Sequence, residues 1–181
     1  MQVIPLTRKH HQEAAELLAA AFFDYPMFTF YFPEVEHRKH NLAWYLGNVL
    51  NFTLRYGEAY TTPDLSGVMM LLTPGHTEIS LWEYMQNGFF FTPYRLGLIN
   101  YFRSMRCESY VGKMHKRIMK DTPHYYLWGL AVSPDRSRCG IGKTMMQYLL
   151  KKADGAQLPI YLETHDEFNI VYYQRYGFEL V

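Results

Sequence analysis

Residues 125–132 read YYLWGLAV, an almost unbroken apolar run of the kind carried by a strand covered on both faces. The run feeds SPDRSRCGIG, a turn, and then residues 142–153, where Met146, Leu149, Leu150 and Ala153 recur at helical spacing. No other feature constrains the fold as strongly, because a doubly buried strand demands a layer on each side. A helix opening at such a turn aims several backbone N–H groups, and the positive end of its dipole, at one spot. Gly140 and Gly142 lack a Cβ, so a pyrophosphate could approach the backbone there, with Arg136, Arg138 and Lys143 adding positive charge. The same glycines also suit an ordinary tight connection, and a single Gly-x-Gly is common. A nucleotide-hydrolase P-loop fits poorly. SRCGIGKT has Ser137 where the first glycine belongs, and PIYLE ends in Glu163 rather than in a magnesium-binding Asp.

The rest of the chain reads as one domain. Its 181 residues carry 18 basic and 17 acidic side chains, a net charge too small for a general binder of phosphate backbones. An apolar fraction of 49% excludes a disordered chain, since it offsets the entropy of ordering. Aromatics reach 17%, enough to fill a core and to line an apolar pocket. Cys107 and Cys139 fit no disulfide framework or zinc pattern, and no metal site is expected. The N-terminus lacks the apolar core of a secretion signal, and the longest apolar run, 17–23, is too short for a membrane span. A cytoplasmic protein with no membrane or nucleic-acid partner is the expectation.

Residues 2–6 predict a short strand, with Thr7 as N-cap of a helix that presents Leu17, Leu18 and Ala21 on one face. Residues 22–33 (FFDYPMFTFYFP) break at Pro26 and Pro33. Residues 35–56 predict a helix stopped by Gly57, followed by strands at 58–62 and 66–73 around the turn PDLSG. Residues 78–120 read as helical, interrupted at NGFFFTP, with Lys113, Lys116, Arg117 and Lys120 together as a solvated basic face. A strand at 159–163, a helix at 167–176 and the start of a strand at 178–181 complete the reading.

LAVSPDRSRCGIGKTMM followed by LPIYLETHDEFNIVYYQRYGF resembles the acyl-CoA-binding core of the GNAT superfamily of N-acetyltransferases. Three parts carry the resemblance: the strand ending LAVSP with a variant of [RQ]-x-x-G-x-[GA] at 137–142, the later strand PIYLE, and Asn169-x-x-x-Tyr173-x-x-x-Gly177-Phe178. AAAFFDYP and Leu162-Glu163-Thr164 are also similar to the puromycin-acetyltransferase-like branch. Ser137 departs from the usual Arg or Gln, and the family usually continues into a further strand after the position of Val181.

The resemblance implies an α/β (α+β) fold: a mixed, mostly antiparallel central sheet flanked by helices, with a helical elaboration in the middle. It implies one acyl-CoA N-acyltransferase domain over 1–181, acetyl-CoA as co-substrate, and a small-molecule or peptide amine as acceptor, and it leaves a homodimer open. Ser137, Arg138, Cys139, Gly140, Ile141, Gly142, Lys143 and Thr144 would cradle the cofactor, with Asn169 on its arm. A backbone donor from Ala131, Val132 or Ser133 would face the reacting carbonyl, since Pro134 has no N–H. Tyr173 would protonate the leaving thiolate, and helical spacing places Asn169, Tyr173 and Tyr176 on one face with Tyr172 turned elsewhere. Glu163 is the candidate base, with His165 behind it. Glu163 also suits a structural acceptor role, and His165 a surface loop. Asp24, between Phe23 and Tyr25, suits either an acceptor amine or a turn. A non-catalytic acyl-CoA-binding or sensing module is the alternative reading.

Overall fold

The computed structural model describes residues 1–181, the side chain of Leu81 excepted. Strand β1 (Ile4–Pro5) leads through a 3-10 turn at Arg8–His10 into α1 (His11–Ala21). Short α2 (Pro26–Tyr31) and long α3 (Val35–Tyr56) come next, then β2 (Gly57–Thr61) and β3 (Gly67–Leu72). Three helices, α4 (Leu81–Gln86), α5 (Thr92–Leu96) and α6 (Leu98–Met119), separate β3 from β4 (Tyr125–Val132). The chain continues through α7 (Ile141–Ala156), β5 (Ile160–Tyr161) and α8 (Glu167–Gln174). The sheet runs β1-β2-β3-β4-β5, antiparallel except for the parallel β4–β5 pair.

Side-chain alternation in β3 shows why this sheet needs two helical layers. Val68 and Met70 pack with Leu18 of α1 and Leu42, Leu46 and Leu50 of α3. Met69 and Leu71, pointing the other way, pack with Ile141, Met145, Met146 and Leu149 of α7. All six residues of β3 are buried, so its sequence GVMMLL shows no polar alternation. Trimming a fully buried side chain such as Leu149 to alanine would cost about 2–5 kcal/mol.

Several local expectations change. Thr7 does not cap α1: the 3-10 turn intervenes, and His10 is the N-cap residue. The break at 22–33 contains α2, which Pro26 can open because it occupies the first turn, where no intrahelical N–H partner is needed. Ser80 and Glu83 form a capping box that starts α4 inside the long middle segment. The strand predicted at 178–181 is not formed; residues 179–181 are exposed and extend no ladder. No helix among the described residues is long and apolar enough to cross a membrane.

Candidate active site

The site opens where two strands part. β5 pairs with β4 only at Tyr125↔Ile160 and Tyr126↔Tyr161, so β4 runs on from Leu127 with no neighbour on that side. Opposite β3, the register shifts between Met70↔Gly129 and Leu71↔Leu127, leaving Trp128 as the extra residue of a β-bulge. The Ser133 N–H donates to the Ser66 carbonyl at 2.9 Å, which fixes the phase of the ladder beyond the bulge. Alternation then turns the N–H groups of Ala131 and Gly129 toward β3, and those of Leu130 and Val132 into the open cleft. Ala131 and Ser133 are therefore corrected as amide donors. Val132, among the expected donors, and Leu130 present their N–H groups to the cleft.

The first turn of α7 forms one end of the cleft. Its first intrahelical bond runs from the Thr144 N–H to the Gly140 carbonyl at 3.0 Å, which leaves the amides of Ile141, Gly142 and Lys143 without intrahelical partners. Gly140 is the N-cap residue at φ +80°, and no atom lies within 4 Å of where its Cβ would be. Glycine is needed there for the backbone, and the space beside it is open. A Cβ on Gly142 would come to 3.2 Å from the Tyr172 hydroxyl. That hydroxyl is buried and has no hydrogen-bond partner among the described residues. Free amides, an open approach at Gly140 and an orphaned phenol suit a phosphate-rich ligand, with exposed Arg138 and Lys143 beside them. Tyr172 is a correction: it faces the cradle rather than turning away from it.

From this end a cavity of about 560 Å³ reaches along the parted strands. Ser137, Arg138, Gly140, Ile141, Gly142 and Lys143 line its cradle end, and Val132, Asn169, Tyr172 and Tyr173 its middle. Ala131, Ser133, Cys139 and Thr144 lie outside this wall: Ala131 is buried in the core, and the Thr144 hydroxyl donates back to the Gly140 carbonyl. Burial pushes the Tyr173 hydroxyl up to about 12, so it holds its proton firmly.

Two carboxylates line the cavity's other end. Glu163, just past β5, accepts a short hydrogen bond from the Tyr126 hydroxyl at Oε2, while its buried Oε1 has no partner among the described residues. Burial pushes its carboxyl up to about 7, against the downward pull of the Tyr126 and Tyr161 hydroxyls. Glu108 of α6 accepts at Oε1 from Tyr31 at 2.8 Å and Tyr45 at 3.1 Å, and burial raises it too. Its charge also pushes Glu163 upward. Glu108 was not among the expected site residues, although it is the only acidic residue of α6 in a run that also holds Arg103, Arg106, Lys113, Lys116 and Arg117. That isolation was a readable signal. Its two tyrosine partners, from other elements, were not.

The His165 N–H donates to the Tyr25 hydroxyl at 2.7 Å, and its ring stands edge-on to Tyr25 at the cavity wall. Asp24 lies elsewhere: it is exposed and 3.6 Å from Arg38, which also donates to the carbonyls of Phe32 and Pro33. Its role is the turn, not the cavity.

The model of the Acetyltransferase (GNAT) family matches residues 75–178, more than half of the chain. The chain belongs to that family. Among solved structures, this acetyltransferase is similar to a Corynebacterium glutamicum protein described as histone acetyltransferase HPA2 and related acetyltransferase. That match has a TM-score of 0.65 at 16% identity over 97% of this chain and 83% of that one. It is also similar to arylalkylamine N-acetyltransferase 2 of Aedes aegypti, with a TM-score of 0.58 at 14% identity over 97% and 81% of the two chains. A mosquito arylalkylamine N-acetyltransferase-like 5b gives 0.58 at 12%, over 99% and 84%. At these identities the likeness establishes the fold. No curated protein matches.

Proposed function

We propose that this acyltransferase moves an acetyl group from acetyl-CoA to the primary amine of a small molecule or peptide by direct attack, within one domain over 1–181. The observation that carries the reading is Glu163: a carboxyl raised to about 7, with one buried, unpartnered oxygen, in the cavity that Tyr173 also lines. Acetyl-CoA supplies the activated thioester. The amides of Ile141, Gly142 and Lys143 would hold its phosphates, Asn169 its arm, and the Val132 and Leu130 amides its carbonyl oxygen. Glu163 takes the proton that an arriving ammonium must lose before its nitrogen can attack. The C–N bond forms as the C–S bond breaks, and Tyr173 gives its proton to the departing sulfur. The new amide nitrogen gives its remaining excess proton to the Tyr173 oxygen, and Glu163 passes its proton to solvent, which leaves one amide, one thiol and one released proton.

Glu163 is a base only when ionised, so turnover rises as pH climbs through about 7 and levels above it. Similarity to the puromycin-acetyltransferase-like branch at AAAFFDYP and Leu162-Glu163-Thr164 supports an amine acceptor. Two of the structural neighbours are also described as arylalkylamine N-acetyltransferases. Calorimetric titration with acetyl-CoA, paired with a thiol-release assay over a panel of primary amines, tests the reading. It predicts saturable binding and amine-dependent thiol release. Binding without turnover for any amine would instead support the non-catalytic module.

A further inference from the structure

A second cavity, of about 440 Å³, lies against the first. Tyr45, Glu108, Val111, Tyr126 and Trp128 line both, so they form a shared partition. Glu108 is the one carboxylate in that partition. α6 places Glu108, Val111, Gly112 and His115 at i, i+3, i+4 and i+7, which puts them on one helical face toward the second cavity. Beyond the partition Leu72, Ile79, Tyr84, Phe89 and Met105 line the cavity together with Thr77, Ser104 and Ser109, and Tyr84 and Phe89 stack on each other at 5.0 Å with planes 17° apart. Glu78 and Lys116 at the rim stand 3.4 Å apart and largely cancel each other's charge, while Lys113 lies exposed on the outer edge. Burial holds His115 down to about 4, so it is neutral. The inner end of the cavity therefore presents one carboxyl group among rings.

From this arrangement we infer that the second cavity is the acceptor arm of the site, and that Glu108 anchors the ammonium of a primary amine carrying a flat, one- or two-ring apolar body. The inference rests on the acyl-transfer reading for the occupant of the first cavity. A donor lying from the cradle to the parted strands fills that cleft, so the acceptor's body comes from the second cavity with its ammonium at Glu108, which lines the first cavity together with Glu163. A carboxyl there can hold a cation, with Tyr45 and Trp128 lining the cavity beside it. Tyr84, Phe89 and Trp128 give the body aromatic side chains to pack against, and the volume suits a small organic molecule.

Gly112 provides the test. It lines the second cavity and not the first, and no atom lies within 4 Å of where its Cβ would be. Gly112→Leu therefore pushes a side chain into open space and favours the helix. Binding of 2-phenylethylamine to the full chain, measured by calorimetry, should be saturable. Gly112→Leu and Glu108→Gln should each weaken it at least ~10-fold, the scale of one lost charge-assisted contact or a filled pocket. Acetyl-CoA affinity should not change in Gly112→Leu. No saturable 2-phenylethylamine binding in the unmodified chain would overturn the inference, as would undiminished binding in Gly112→Leu. Equally tight binding of n-butylamine would overturn the ring-bearing class. A chain that binds 2-phenylethylamine as expected but not acetyl-CoA would count against the acyl-transfer reading alone.

Discussion

The two ends of the site are built by different means. The cradle comes from one contiguous stretch, strand β4 through the first turn of α7, and most of what it offers is backbone: three free amides, a glycine at φ +80° and two N–H groups exposed by a missing strand partner. The carboxylate end draws on α2, α3, α6, β4 and the segment after β5, and it works through side chains: Glu108 held by Tyr31 and Tyr45, Glu163 held by Tyr126. Backbone sites tolerate side-chain change so long as the conformation survives. Side-chain sites depend on a few groups whose protonation the surrounding burial sets. Substitutions at the first end should act on acetyl-CoA binding, and those at the second on the acceptor and on the pH dependence and rate of transfer. Tyr173 and Tyr172 sit where the two meet.

The sharpest way to break this division is Tyr173→Phe. Loss of the proton donor should cut turnover by about 10²–10⁴-fold while acetyl-CoA affinity moves little. A large affinity loss with turnover preserved at saturation would move Tyr173 to the binding end. Gly140→Val comes next. It should raise the acetyl-CoA dissociation constant by about 100-fold, through a branched side chain in the phosphate path. Forcing φ +80° on valine costs about 1–2 kcal/mol, so a melting curve should still show a folded domain. Unchanged affinity in a folded variant would remove the cradle from the account. The smallest effect belongs to Tyr172→Phe. Its orphaned hydroxyl faces Gly142, so one hydrogen bond, about 1 kcal/mol, should be lost from acetyl-CoA affinity with turnover intact. Equal turnover losses in Tyr172→Phe and Tyr173→Phe would mean that neither is a proton donor.

The same division explains how much was legible beforehand. A doubly buried strand, a glycine turn and an amphipathic helix are local patterns, so β4, the turn and α7 could be read from residues 125–153 alone. The amide direction could not, because it depends on the phase that the Ser133–Ser66 bond gives the ladder. Helical spacing put Asn169, Tyr173 and Tyr176 on one face and set Tyr172 aside, whereas the cavity is lined by Asn169, Tyr172 and Tyr173, and Tyr176 packs on Tyr172. Adjacent residues on a helix lie about 100° apart, and both Tyr172 and Tyr173 line the cavity. Glu108 was hidden for a different reason: its partners lie 77 and 63 residues away. Asp24 looked suitable among its aromatic neighbours, yet it is exposed and pairs with Arg38 of α3, fourteen residues on.

Glu163 carries the central claim, that the carboxylate end supplies the base for an acceptor amine. The most direct measurement is the pH dependence of kcat in an amine-dependent thiol-release assay, comparing the unmodified chain with Glu163→Gln. Because kcat reports groups in the loaded enzyme, the solution titration of the amine does not enter. The account predicts a limb that rises with pH and then levels in the unmodified chain, and its loss in Glu163→Gln together with a drop of about 10²-fold at pH 8. The same rising limb persisting in Glu163→Gln at near-normal turnover would contradict it.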